Sequence, residues 1–360
     1  MRRGEEQCPN WAPPRYYPLV HPNPIFPMAA RSTRRDFLKA AALWPLATMA
    51  GSGPAQAAIE PPRRVGGPAL KISCNAYSFA KKLNDKLRGR GEGMSLFDLA
   101  EFCAKQGFEA FDPTGYYFPG YSATTAEVPT DKFIFELKRR AFDLGVAISG
   151  TGVGNNFTVA DQAARANDVR RIKAWVEVAA KLGAPVVRVF ADTQMRAQTW
   201  ETVSKGATRD QVEEWIAADI RSCADHAAKF GVVIGVQNHG DFIKTAANLI
   251  GLIQRVDSPW CGAIVDTGYF KAPDPYAEMA QAAPYAVNWQ VKQSPFGVER
   301  EAEAPTDLKR LVKIVRASGY RGFLPIETLS PRSGSTQPYD PLVAVPKFLA
   351  ELRRAIAETA

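Results

Sequence analysis

The chain has 360 residues, 46% of them hydrophobic, 23% charged and 10% aromatic, with 27 Gly and 27 Pro. This ordinary globular balance excludes extended disorder, a collagen-like repeat and a multi-span membrane protein. The formal net charge is +8, but the basic excess is concentrated at the N-terminal end.

There, Ser32-Thr33-Arg34-Arg35-Asp36-Phe37-Leu38-Lys39 precedes an apolar stretch, 40–50, and Ala55-Gln56-Ala57 offers a small-residue cleavage site. A charged start, a short apolar run and an A-x-A site resemble a secretory signal of the twin-arginine type. The apolar run is shorter than the ~20 residues that span a bilayer. The expectation is therefore a removable leader over 1–57, a linker over 58–68 and a folded part over 69–360. That part would be periplasmic or secreted, with no stable membrane insertion after cleavage. The leader carries seven basic and three acidic residues, and without it the net charge is +4. No dense basic block remains, so nucleic acid is not an expected partner. The four remaining cysteines, Cys74, Cys103, Cys223 and Cys261, form no C-x-x-C pair and sit in apolar segments, as buried free thiols do.

From about residue 69 the pattern alternates: apolar strand, polar loop, amphipathic helix, glycine, next strand. Gly107, Gly145, Gly183, Gly231 and Gly319 each follow a helical stretch, where glycine accepts the left-handed conformation that ends a helix. Ser95 and Asp98 read as a capping box, and Asp274-Pro275 and Asp340-Pro341 as helix starts with proline just inside the cap. Strands are expected at 72–74, 108–112, 146–150, 186–191, 232–237, 262–266, 286–291 and 323–327. Strict alternation of short apolar strands with helices argues for a parallel sheet, and this number of units for a single-domain (β/α)8 TIM barrel. No G-x-G-x-x-G follows the first strand, which weighs against a dinucleotide fold. The long loop at 194–208 would be a lid or an interface, and acidic 299–303 a solvated loop.

In such a barrel, function sits at the C-terminal ends of the strands. Those positions hold Asn75, Asp112, Asn155 with Asn156, Asp192, Gln237-Asn238-His239, Asp266, Gln290 with Lys292, and Glu327. Nearly every strand thus ends in a polar group after an apolar run. Asp266 and Glu327 are acids at the ends of buried strands, so each needs a cation, a metal or hydrogen-bond donors. Lys292 is either their counter-ion or an electrophile. His239, one of two histidines outside the leader, is placed for substrate contact or proton transfer. Trp289, Tyr269 and Phe270 are aromatic groups that either stack on a ligand ring or pack the core.

The units 232–242, 262–270, 286–293 and 323–329 resemble the second half of the xylose-isomerase-like TIM-barrel superfamily of sugar phosphate isomerases and epimerases. The resemblance implies a small-molecule carbohydrate as partner and proton abstraction next to a carbonyl, with Glu327 as base and His239 or Lys292 as acid or electrophile. Asp112, Asn155, Gln237, Asn238, Gln290, Trp289 and Tyr269 would contact substrate. It also implies a divalent metal held by Glu, Asp, His and Glu, positions occupied here by Gln237, Asp266, Gln290 and Glu327. Two of the four depart from the pattern. Such a set would suit Mn or Mg through neutral amide oxygens and two carboxylates; alternatively no metal binds and Lys292 takes the place of its charge. Three functions follow: a sugar isomerase or epimerase on an unphosphorylated substrate, a metal-free lyase or hydratase of 3-keto sugars, or a sugar-binding protein without chemistry.

Overall fold

In a computed structural model, residues 59–192, 198–293, 305–329 and 339–359 are described. The expected leader, the first residues of the loop 194–208 and the acidic loop 299–303 lie outside these residues. Among these residues, nine parallel strands form one sheet in the order β3-β2-β1-β9-β8-β7-β6-β5-β4. They are β1 (Ala69–Asn75), β2 (Ala110–Asp112), β3 (Ala147–Ile148), β4 (Thr151–Gly152), β5 (Val186–Phe190), β6 (Val233–Gln237), β7 (Cys261–Asp266), β8 (Ala286–Lys292) and β9 (Arg321–Glu327).

The two strands at the ends of this order, β3 and β4, are consecutive pieces of one barrel strand. The expected strand 146–150 is broken at Ser149-Gly150: β3 pairs with β2, β4 pairs with β5, and the chain between them links the two ends of a nearly closed barrel. The break falls where a side chain has no room: a Cβ on Gly150 would lie 2.9 Å from both Asn288 Nδ2 and Asp112 Oδ2. Asn155 reinforces the seam by accepting from the Phe190 amide (2.8 Å) and donating to the Phe190 carbonyl (2.7 Å).

Among the described residues, ten α-helices surround the strands: α1 (Ala80–Leu87), α2 (Leu96–Gln106), α3 (Asp131–Asp143), α4 (Gln162–Leu182), α5 (Trp200–Val203), α6 (Arg209–Ala228), α7 (Ala246–Val256), α8 (Pro275–Ala282), α9 (Leu308–Ala317) and α10 (Pro341–Glu358). All five helix-ending glycines have positive φ, between 66° and 87°. The Ser95–Asp98 capping box and the Asp274 and Asp340 caps are formed, with a further box at Thr208–Gln211. The hydrophobic core lies between strands and helices, where Val187, Val189, Val236, Val265, Trp289 and Val291 are buried. Cys74, Cys103, Cys223 and Cys261 are buried and free. Burial, opposed by the nearby Arg221, pushes the Cys261 thiol up to about 12. The segment expected to be a linker is tied down: Arg64 donates to the carbonyls of Pro284, Ser318 and Ala286 at 3.0, 3.2 and 2.6 Å. No described helix is long and apolar enough to cross a membrane.

Candidate active site

Strand residues alternate between the barrel axis and the helices. Facing the axis are Ser73 and Asn75 on β1, Asp112 on β2, Arg188 on β5, Gln237 on β6, Asp266 on β7, Asn288, Gln290 and Lys292 on β8, and Glu327 on β9. Deep in the barrel this lining is already polar. Ser73 Oγ meets Ser149 Oγ at 2.6 Å, and Asn288 Nδ2 donates to the Ser149 carbonyl at 3.3 Å.

At the C-terminal end, one hydrogen-bonded chain runs across five strand ends. The Tyr77 amide donates to Asn75 Oδ1 (2.8 Å), which turns Asn75 Nδ2 toward Gln290 Oε1 (3.2 Å). Gln290 therefore presents its Nε2 to Glu327, to which it donates, and Lys292 Nζ donates to the other Glu327 oxygen. Lys292 Nζ also lies 3.6 Å from Asp266 Oδ2. That same oxygen accepts from Gln237 Nε2 at 2.5 Å, while Asp266 Oδ1 accepts from the Gly268 amide at 2.8 Å. Lys292, Asp266 and Glu327 are all buried. Burial opposes the Lys292 charge, but Asp266 and Glu327 outweigh it and hold the ammonium above its ordinary value. Burial pushes the Asp266 carboxyl up to about 6 against the pull of Lys292.

The backbone around this centre is pinned. The Lys292 amide donates to Thr267 Oγ1 (2.9 Å), and Thr306 Oγ1 donates to the Lys292 carbonyl (2.7 Å). Beyond Glu327, the Thr328 amide donates to Ser78 Oγ at 3.0 Å, and Thr328 Oγ1 meets Tyr339 Oη at 2.7 Å. Glu327 and Lys292 thus stand on ends that cannot swing freely.

The other side of the mouth holds Asp112 and Arg188. Arg188 donates through Nη2 to Tyr116 Oη at 2.9 Å and lies over the Phe190 ring, 4.1 Å from its centroid. Gly152 makes room for it, since a Cβ there would come within 2.6 Å of Arg188 Nε. Asp112 is buried, yet no described donor is bonded to its carboxyl. Burial pushes it up to about 7, opposed by Arg188 and reinforced by Glu327. His239 is half-buried between Phe190 and Tyr269, with ring centroids 4.7 and 4.0 Å away.

Residues 100–352 match the xylose isomerase-like TIM barrel family. The chain belongs to that family. In fold it is similar to D-psicose 3-epimerase from Clostridium cellulolyticum H10, at 16% identity over 79% of this chain and 99% of that one, TM-score 0.60. A 3-keto-D-glucoside 4-epimerase from E. coli is 16% identical over 80% of this chain and 99% of that one, TM-score 0.57. A xylose isomerase-like TIM barrel/4-hydroxyphenylpyruvate dioxygenase fusion protein is 18% identical over 81% of this chain, TM-score 0.59; the chain spans 43% of its length. No curated protein matches the sequence.

Within this xylose isomerase-like barrel, the expected ligand set Gln237, Asp266, Gln290 and Glu327 is brought together, but it does not fit a divalent metal. A hard cation needs oxygen lone pairs. Here both glutamines aim amide N–H groups at the carboxylates, and the Tyr77–Asn75–Gln290 relay fixes that orientation for Gln290. The space between the two carboxylates is taken by the Lys292 ammonium. No group of three or more His, Cys, Asp or Glu among the described residues is arranged to hold a metal.

Three expected substrate contacts are placed otherwise. Trp289 alternates with Gln290 and so faces the helices, fully buried, its ring 6.1 Å from that of Tyr320. Asn238 spends both ends of its amide on the Asp266 backbone, at 2.9 and 2.7 Å, and Asn155 spends both on Phe190. Phe270 is core. Tyr269 stays at the mouth, with Lys292 Nζ 5.7 Å from its ring centroid. Arg188 and Tyr116 were not among the expected residues. Their signal was present: a single cation inside the apolar strand Val186-Val187-Arg188-Val189-Phe190 must find compensation on the barrel axis.

Proposed function

We propose that this chain is a sugar isomerase or epimerase that abstracts a proton next to a carbonyl of an unphosphorylated sugar without a metal. The observation that carries the reading is the buried Lys292 ammonium held between Glu327 and Asp266 at the mouth of the barrel. Glu327 is the base, and Lys292 is the electrophile that stabilises negative charge developing on the substrate oxygen. Asp266, itself held by Gln237, takes the far side of the ammonium, and Gln290 orients Glu327. The epimerase neighbours support a carbohydrate substrate of this kind.

Charge supports a neutral substrate. The mouth holds the carboxyls of Asp112, Asp266 and Glu327 against Arg188 and Lys292, so a phosphate would meet no surplus of positive charge. Export through residues 1–57 is part of the same proposal and points the same way, since phosphorylated sugars are scarce outside the cytoplasm. N-terminal sequencing of periplasmic protein, expected to begin at Ala58, checks it.

The decisive experiment follows substrate C–H exchange by NMR in deuterated water, using D-fructose, D-psicose, D-tagatose and a 3-keto-D-glucoside. The wild type exchanges a proton next to the carbonyl of at least one of them, and Glu327→Gln lowers that rate at least ~100-fold. A Glu327→Gln protein with undiminished exchange sinks the assignment. Isomerisation, epimerisation and β-elimination share this first step, and the product distinguishes them. The two glutamines in acid and histidine positions favour a sugar-binding protein as the second reading, which expects saturable binding with no exchange.

A further inference from the structure

Inversion at a carbon requires a proton to leave one face and another to arrive on the opposite face, so Glu327 alone does not complete it. Gln237, which stands where the family resemblance implies a second glutamate, has no proton to transfer. Among the groups at the mouth, Asp112 is the carboxyl without a bonded donor among the described residues. In the ring of strands, β2 lies two places from β9 and four from β7, so Asp112 approaches the axis from across the barrel relative to Asp266. β5 lies four places from β9, which sets Arg188 opposite Glu327. A molecule lying over the axis therefore meets Glu327 and Lys292 on one side and Asp112 and Arg188 on another. The missing Cβ of Gly150 leaves room for the Asp112 carboxyl, since a methyl group there would sit 2.9 Å from Asp112 Oδ2.

We infer that Asp112 is the second acid–base residue of the site, returning a proton to the face of the substrate that Glu327 does not reach; this rests on the proton-transfer reading proposed above. The Glu327 carboxylate takes the C–H proton, and the C–H electron pair becomes the enediolate double bond. The oxygen charge is held by the Lys292 ammonium. The enediolate carbon then uses that electron pair to bond the proton of the Asp112 carboxyl, leaving Asp112 ionised and the carbon inverted. Transfer of the proton from Glu327 to Asp112 through water restores both groups. Burial keeps Asp112 protonated up to near neutral pH, with Arg188 on β5, beside Tyr116, and Glu327 on β9 as the charged groups facing it and Gly150 and Asn288 as its neutral neighbours. His239 is the rival donor, but it stands in the loop beyond β6, between two aromatic rings.

The test separates exchange from inversion. Wild type, Asp112→Asn, His239→Asn and Glu327→Gln are compared on the same four sugars in deuterated water. Asp112→Asn, which mimics the protonated acid and keeps the fold, retains C–H exchange within ~3-fold of wild type while inversion falls ~100-fold or more. His239→Asn keeps the wild-type ratio of inversion to exchange. The inference is overturned if Asp112→Asn inverts normally, or if exchange and inversion fall together with a raised KM, which marks a residue that only holds a hydroxyl. It is equally overturned if His239→Asn shows the split instead. These outcomes leave the Glu327 reading standing. Undiminished exchange by Glu327→Gln overturns that reading, exchange without inversion by the wild type overturns the inference alone, and absence of exchange by the wild type on all four sugars overturns both.

Discussion

On the proposed reading, a buried ammonium between two carboxylates performs part of the electrostatic work of a dication, with half the charge and no open coordination position. Two consequences follow from Lys292. Replacing it by Met leaves Asp266 and Glu327 facing each other without a counter-charge, and breaking a buried pair in this way costs ~3–5 kcal/mol. The loss should be largest above pH 6, where Asp266 ionises, and smaller at pH 5, as thermal melts at the two pH values would read. The second consequence concerns metal. Wild-type protein stripped with chelator should show no thermal shift on adding Mn or Mg. The triple variant Lys292→Met, Gln237→Glu, Gln290→His should gain one, because it removes the competing cation and restores lone-pair donors. A stoichiometric metal in the wild type would overturn the assignment of Lys292 as the resident cation.

At this scale the sequence was informative where a polar residue ends an apolar strand, and misleading where neighbours were read together. Gln290 and Trp289 cannot both face the axis of a strand with a two-residue period, and the larger one went to the core. Asn238 and Asn155 satisfy backbone groups that the ends of short strands leave open. Arg188 was legible in principle, but it lies within its strand rather than at its end.

The elements themselves were largely written in local chemistry. Glycines past helix ends, proline after an aspartate cap and short β-branched runs dictate the alternation directly, and those caps are formed. The crowding at the break in the third strand was not readable, because it is non-local: Asn288 and Asp112 arrive from β8 and β2 to occupy the space a side chain at 150 would need. Gly150→Ala should therefore destabilise the protein by ~1–3 kcal/mol, the usual cost of overpacking a close-packed interior. It should also disturb Asp112 more than Lys292. Chemical denaturation gives the first quantity. The second is checked by activity: inversion suffers more than C–H exchange. An alanine variant with wild-type stability would show that the seam between β3 and β4 is looser than its contacts indicate.

For the whole molecule, the barrel end that assembles the site also carries an electrostatic cost. Asp112 and Asp266 stand at about 7 and about 6 against an ordinary 3.8, both chiefly through burial. Asp192 is also raised, by burial and by the neighbouring Asp241 carboxyl. A carboxyl whose folded value exceeds its unfolded value binds its proton more tightly in the native state. Between those two values the folded protein holds more protons than the unfolded chain, so stability falls as pH rises. The decline begins near pH 4, and for Asp266 and Asp112 it levels off above pH 6 and pH 7. The melting temperature should accordingly be higher at pH 5 than at pH 8, opposite to a protein whose acids are mostly stabilised by salt bridges. Asp112→Asn removes one contributor. It should leave stability near pH 4 almost unchanged and raise it at pH 8 by a few kcal/mol, since each tenfold difference in proton affinity between the folded and unfolded states is worth about 1.4 kcal/mol. If the variant instead loses stability at pH 8, Asp112 is a structural ion-pair partner of Arg188 in the folded protein. The proton it is proposed to donate would then be absent at working pH.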